Sequence, residues 1–132
     1  MRRNYYRDEY IEMWTEDGIL YHVYGEDAEI NITIAQHITK NRIKISEGKS
    51  WPLLTDARNL RSIDKEARDY WSTPGEGMQF LLAGALVINN PILKLLGNAF
   101  TRINRPPRPF RLFTDYNSAK AWLEYYKSVN VN

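Results

Sequence analysis

The chain has 132 residues, 43% hydrophobic, 13% aromatic and 26% charged, enough apolar material for one core, too short for two full-sized domains and too hydrophobic for intrinsic disorder. It has no cysteine, which excludes a disulfide framework, a thiol nucleophile, a redox motif and Cys-ligated zinc. The net charge of +2 hides a polarity along the chain: residues 1–30 hold three Arg against eight acids, and between Glu76 and Asp115 the only charges are Lys94, Arg102, Arg105, Arg108 and Arg111.

Residues 1–8 carry no element signal and read as a flexible N-terminus. From residue 9 to 24 the pattern is a β-hairpin: Tyr10, Glu12 and Trp14 alternate with Ile11 and Met13, Glu16-Asp17-Gly18 supplies the turn, and Ile19 to Tyr24 returns. Ile34, Ala35, Ile38, Arg42 and Ile45 then keep helical spacing, so a helix is expected over roughly 33–46, capped by Asn31 or Thr33 and stopped near Gly48. Trp51 to Thr55 reads as a short strand delivering the chain to Asp56-Ala57-Arg58-Asn59, and Leu60 to Ile63 as a loop. Asp64 is placed to cap a short helix with Ala67, Tyr70 and Trp71 on one face, ended by Ser72-Thr73-Pro74-Gly75.

Phe80 to Ile88 lacks polar alternation, as expected of a central strand covered on both faces. It is interrupted by Gly84 and too short to cross a bilayer, and residues 1–20 lack the apolar stretch of a signal peptide, so the expected location is cytoplasmic with no transmembrane segment. Asn90-Pro91 reads as an N-cap followed by proline at the first helical position, with Ile92, Leu95, Leu96, Ala99, Phe100 and Ile103 carrying a helix to residue 103. Arg105 to Pro109 is an extended connection, Phe110 to Phe113 a strand, and Thr114 or Asp115 opens a last helix with Ala119, Trp122, Leu123 and Tyr126. The order ββαβαβαβα predicts a single α/β domain over 1–132. Its sheet would be five-stranded and mostly parallel, with an antiparallel N-terminal strand and helices packed on it.

Little in the chain supports catalysis. His22 and His37 have no His, Cys or carboxylate at metal-ligand spacing, and Gly75-Glu76-Gly77 is a turn rather than a phosphate loop. Asp56, Asp64, Glu66 and Asp69 cluster near a strand's C-terminal end, where α/β folds bind ligands, but Arg58, Lys65 and Arg68 sit among them to pair them. No catalytic residue, metal or cofactor is therefore expected. Nucleic acid is disfavoured by the modest net charge and the acidic first quarter. The stripe of the third helix either packs wholly on the sheet or lines a slot for an acyl chain, with Lys94, Arg102, Arg105 and Arg108 near an anionic head group. The bulky residues Trp51, Phe80, Phe100, Phe110, Phe113 and Trp122 favour closure, with Ile92, Leu96 and Phe100 buried and no deep apolar pocket beside Arg102 and Arg105.

The element order, the run Leu54 to Asn59 leading through Ile63-Asp64-Lys65-Glu66-Ala67-Arg68 into a helix, and the ending Phe110 to Asp115 with Ala119 and Trp122-Leu123 resemble the SpoIIAA-like superfamily. This superfamily holds the STAS domains, among them the bacterial anti-sigma-factor antagonists, and small STAS-like or CRAL-TRIO-like proteins. The chain is most similar to small bacterial STAS-like proteins of unassigned function. The resemblance implies a βα superhelix without reversal of strand order. It also implies that Asp64-Lys65-Glu66-Ala67 stands where the antagonists carry Asp-Ser-Ser-Gly, whose second serine is phosphorylated. Asp64 is kept and both serines are replaced; Ser62, the nearest hydroxyl, lies in the preceding loop. The expectation is a non-enzymatic regulatory or protein-interaction module without the phosphorylatable serine. Its surface would be Asp56, Arg58, Asn59, Ser62, Asp64, Lys65, Glu66 and Arg68, facing a protein partner or a second copy in a homodimer. The alternative is a small carrier or sensor of a lipid or other apolar anion, through Lys94, Arg102, Arg105 and Arg108.

Overall fold

The computed structural model describes residues 1–129. In chain order the elements are β1 (Arg3–Arg7), β2 (Ile11–Glu16), β3 (Ile19–Tyr24), β4 (Ala28–Ile30), α1 (Ile32–Ser46), β5 (Trp51–Asp56), β6 (Leu60–Ile63), α2 (Lys65–Ser72), a 3-10 turn (Glu76–Met78), β7 (Leu81–Val87), α3 (Pro91–Asn98), which runs on as a π-helical turn (Ala99–Asn104), β8 (Phe110–Phe113) and α4 (Tyr116–Val129). Strand order in the main sheet is β1-β2-β3-β5-β7-β8. The first two pairings are antiparallel and the other three parallel. Strand order never reverses, so the sheet has no switch-point crevice.

Each helix starts where a short polar side chain can accept an orphan backbone N–H. Asn31 Oδ1 accepts from Ile34 N at 2.9 Å, Asp64 Oδ1 from Ala67 N at 3.0 Å, Asn90 Oδ1 from Leu93 N at 2.9 Å and Asp115 Oδ2 from Ser118 N at 2.8 Å. Period-two alternation then sorts the strands' side chains onto two faces. One face carries Ile11, Met13 and Tyr24 under α1, α2 and α3; the other carries Trp14, Tyr21, Leu54, Ala83, Ala85 and Val87 under α4, through Ala119 and Leu123.

Three expectations are corrected. The sheet has six strands rather than five: Arg3–Arg7, where the sequence offered no element, forms an edge strand on β2. Its bulge between Arg3 and Tyr6, with Asn4 at φ 55°, breaks the alternation that would mark a strand. Leu60 to Ile63 is a strand rather than a loop, pairing in parallel with the three-residue β4 in a separate two-stranded sheet. That pairing is non-local, and neither short run shows a pattern by itself.

The third correction concerns α3. The helix is present but rotated, burying Leu93, Gly97 and Phe100 while Ile92 is 68% and Leu95 71% exposed. Leu96 is only half-buried. Gly97 explains the choice of face: a Cβ there would collide with Leu112 of β8, so this is the side on which the helix approaches the sheet closely. Beyond Asn98 the hydrogen bonding widens to a π-helical turn, which re-aims Phe100 onto Phe110, the rings edge to face at 5.1 Å.

Candidate functional site

The surface residues singled out by sequence do not form one patch. Asp56 and Arg58 close on each other at the end of β5: Asp56 Oδ1 accepts from Arg58 N at 3.1 Å and Nε at 2.9 Å, and Oδ2 from Nη2 at 2.7 Å. Burial raises the Asp56 carboxyl, but the bonds from Arg58 outweigh it and hold the group below the usual carboxylate range. Asp64 is occupied as the cap of α2, and Glu66 lies in the first turn of that helix. Lys65 pairs with Asp69 at 2.8 Å, and Asn104 donates to the other oxygen of Asp69 at 2.7 Å. Asn59 gives its carbonyl to Asp27 N, and Ser62 lies in β6 opposite Glu29. Lys94, Arg102, Arg105 and Arg108 are exposed and in no ion pair among the described residues.

Arg68 departs from this pattern. It is half-buried, its Nη1 donates to Ile63 O at 2.7 Å, and it turns inward to line a cavity between the sheet and α1–α3. The cavity holds about 90 Å³. Its walls are mostly apolar, with Leu53 and Leu86 from the sheet, Trp71 from α2, and Leu93, Leu96 and Phe100 from α3 and the turn after it. Neither Arg102 nor Arg105 lines it.

Set into those walls are His22, Thr55, Arg42 and Arg68. His22 faces inward from β3, opposite Met13 on one side and Thr55 on the other, and its Nε2 is buried with no hydrogen-bond partner. Burial, helped by the Arg42 charge, pushes its pKa down to about 3, so the ring is neutral at physiological pH. Arg42 of α1 is 2% exposed and donates to two backbone carbonyls, Gln79 O at 2.6 Å and Gly77 O at 3.1 Å, with no carboxylate in ion-pair range. Burial lowers the Arg42 pKa to about 10, leaving it charged. Trp71 Nε1 donates to Thr39 Oγ1 at 2.8 Å and ties α2 to α1 over the cavity. No Asp or Glu among the described residues lines the space, and none of them forms a cluster suited to a metal ion.

Comparison with known proteins adds a family and a fold. The model of a family described as "Domain of unknown function (DUF7793)" matches residues 13–127. The chain belongs to this family. None of the curated proteins matches it. Among solved structures, the crystal structure of an uncharacterized protein from the DUF3478 family, with a SpoIIAA-like fold, from Shewanella loihica PV-4, is similar at a TM-score of 0.61 and 14% identity, covering 86% of this chain and 91% of that one. The DUF7793 domain thus has a SpoIIAA-like fold, in agreement with the monotonic strand order.

Sequence reasoning missed three of the four polar residues set into the cavity walls, His22, Arg42 and Thr55. His22 sits in an alternating strand, and nothing local says which face is roofed. Arg42 did carry a signal: it occupies a position in the apolar series Ile34, Ala35, Ile38, Ile45, where a charged side chain must find buried partners. In this DUF7793 domain it finds only carbonyls.

Proposed function

We propose that the domain is a non-enzymatic binding module, a sensor or carrier of a small apolar ligand, and that the ligand occupies the cavity under α1–α3. The observation carrying this reading is that the described residues contain just two buried side-chain polar atoms without a partner, His22 Nε2 and Arg68 Nε, and that both residues line this one apolar space. Buried polar groups left unpaired cost about 1–3 kcal/mol each, so a fold that keeps two at one cavity has a use for them. At about 90 Å³ the space is well below the roughly 300–1,000 Å³ of drug-sized sites, and a full acyl chain does not fit with α3 in this position. Binding is favoured over catalysis because a histidine held neutral down to about pH 3 is a weak base at physiological pH.

A regulatory contact with a protein remains compatible with this, but the loop and helix from Asp56 to Asp69 contribute less to it than their charges promise. Asp56 is engaged by Arg58, Asp64 by the helix it caps, and Asp69 by Lys65 and Asn104. Thermal denaturation against a panel of small acids, amides and alcohols tests the proposal. A true ligand at 100 times its Kd adds about 2.7 kcal/mol, a rise in Tm on the order of 10 °C for a domain of this size. Ala57→Leu, which fills the cavity wall, should remove the shift; a Tm that no compound moves would overturn the proposal.

A further inference from the structure

We propose that the outer side of α3 and of the turn after it is a peripheral membrane-binding element, which lays an aliphatic stripe into the headgroup region of a bilayer rich in anionic lipid. The proposal does not depend on the cavity. Among the described residues six large apolar side chains are exposed, and three of them share this segment: Ile92 at 68%, Leu95 at 71% and Ile103 at 80%. With the half-buried Ala99 they follow at steps of three, four and four residues, so they form one stripe along the helix rather than scattered single side chains. The opposite side, with Leu93, Gly97 and Phe100, is already packed inward, so no rotation of the helix covers both.

The charges around the stripe indicate what covers it. Lys94 and Arg102 are exposed on the same segment and Arg105 directly follows it; none of the three is in an ion pair among the described residues. Two acids border this side. Asp69 takes the Asn104 amide but is paired with Lys65, and Asp115 caps α4 across a shallow groove that Lys94 and Arg111 also line. Cations therefore outnumber acids here. Aliphatic side chains beside long basic ones match an anionic bilayer surface, where the aliphatic groups leave water and the Lys and Arg stems reach back to the phosphates. A second copy fits less well, since a twofold contact through the stripe would set like charges against each other. A protein partner would find no Tyr or Trp on the stripe, the anchors that dominate such interfaces. No helix among the described residues is long and apolar enough to cross a membrane, so this helix binds at the surface.

The test is sedimentation of the full chain with vesicles of phosphatidylcholine alone and of phosphatidylcholine with about 40% phosphatidylglycerol. Binding should be at least about tenfold tighter to the anionic vesicles and should weaken at least about tenfold as NaCl rises from about 50 to about 500 mM. Leu95→Ser with Ile103→Ser, and separately Arg102→Gln with Arg105→Gln, should each weaken it about tenfold. The chain has no cysteine, so Leu95→Cys, and Ala121→Cys on α4 across the sheet, can each carry a single environment-sensitive fluorophore. Anionic vesicles should shift the emission to the blue at the first position and leave the second unchanged. No binding to the anionic vesicles would overturn the proposal. Binding that survives the serine pair would also overturn it, placing the contact elsewhere, as would self-association through the stripe without vesicle binding, which would assign it to a second copy. Should the serine pair fail to fold, the contrast between the two labelled positions decides the matter.

Discussion

His22 makes the cavity visible to pH. In the unfolded chain its imidazole takes up a proton below about pH 6.5, whereas in the folded domain it does not until about pH 3, so across that window the unfolded state binds more protons and acidification favours unfolding. The His22 contribution is fully present above pH 6.5 and shrinks as pH falls. Urea unfolding should show a loss of about 2 kcal/mol between pH 6.5 and pH 5, and His22→Phe should flatten the slope in that interval. Arg42 poses the opposite problem, a charge that stays on. Arg42→Met keeps the stem but strands Gly77 O and Gln79 O, and is expected to cost about 2–3 kcal/mol in chemical denaturation. Asp64→Ala removes only the cap of α2 and should cost about 1 kcal/mol, with the cavity intact.

At the scale of the element, α3 carries two apolar faces with different roles. Leu93 is 2% exposed and Leu95 71% exposed, two positions apart on one helix. Leu93→Ala should therefore cost about 2–4 kcal/mol, while Leu95→Ala stays within about 0.5 kcal/mol of the parent in the same melts. Equal effects would mean that the helix sits on the sheet by another face. The sequence specified that this helix exists, because Asn90, Pro91 and the 3.6-residue period agree. It could not specify the rotation, since Ile92, Leu93, Leu95 and Leu96 make the stripe wide enough for either setting. Close approach at Gly97 to Leu112 selects one.

For the whole molecule, the acidic residues of the N-terminal part act as clamps between distant segments. Asp8 accepts from Tyr10 N and Ile11 N, from the Tyr6 hydroxyl at 2.7 Å, and meets His37 Nε2 at 2.9 Å, so one carboxylate joins β1, β2 and α1. Burial raises the Asp8 carboxyl, and these bonds overcome it to hold the group below its ordinary range; Asp56 is held low in the same way by Arg58. A depressed carboxyl contributes stability above its unfolded pKa, near 3.9, and loses it as pH falls through the folded value. Acid unfolding should accordingly steepen below about pH 4, where the carboxylate contribution adds to that of His22, which runs on to about pH 3. Asp8→Asn should weaken that steepening without altering the slope at higher pH.

Much of the fold was determined by sequence alone: four helices, with caps at Asp64 and Asn90 and with Asn31 and Asp115 each one of two candidates, a central strand within residues 80–88, and a mostly parallel sheet. Those features depend on local hydrogen bonding and on periodicity, which neighbouring residues encode. The candidate site had no such local encoding. Arg68 was legible as a polar residue near a strand end, yet its inward direction follows from the bond to Ile63 O; His22 and Arg42 meet only because β3 and α1 are brought together over the sheet. Whether a buried nitrogen has a partner is a property of several segments at once. Only the tertiary structure could decide it, because the packing of α1, α2 and α3 over one face of the sheet fixes both the space and what lines it.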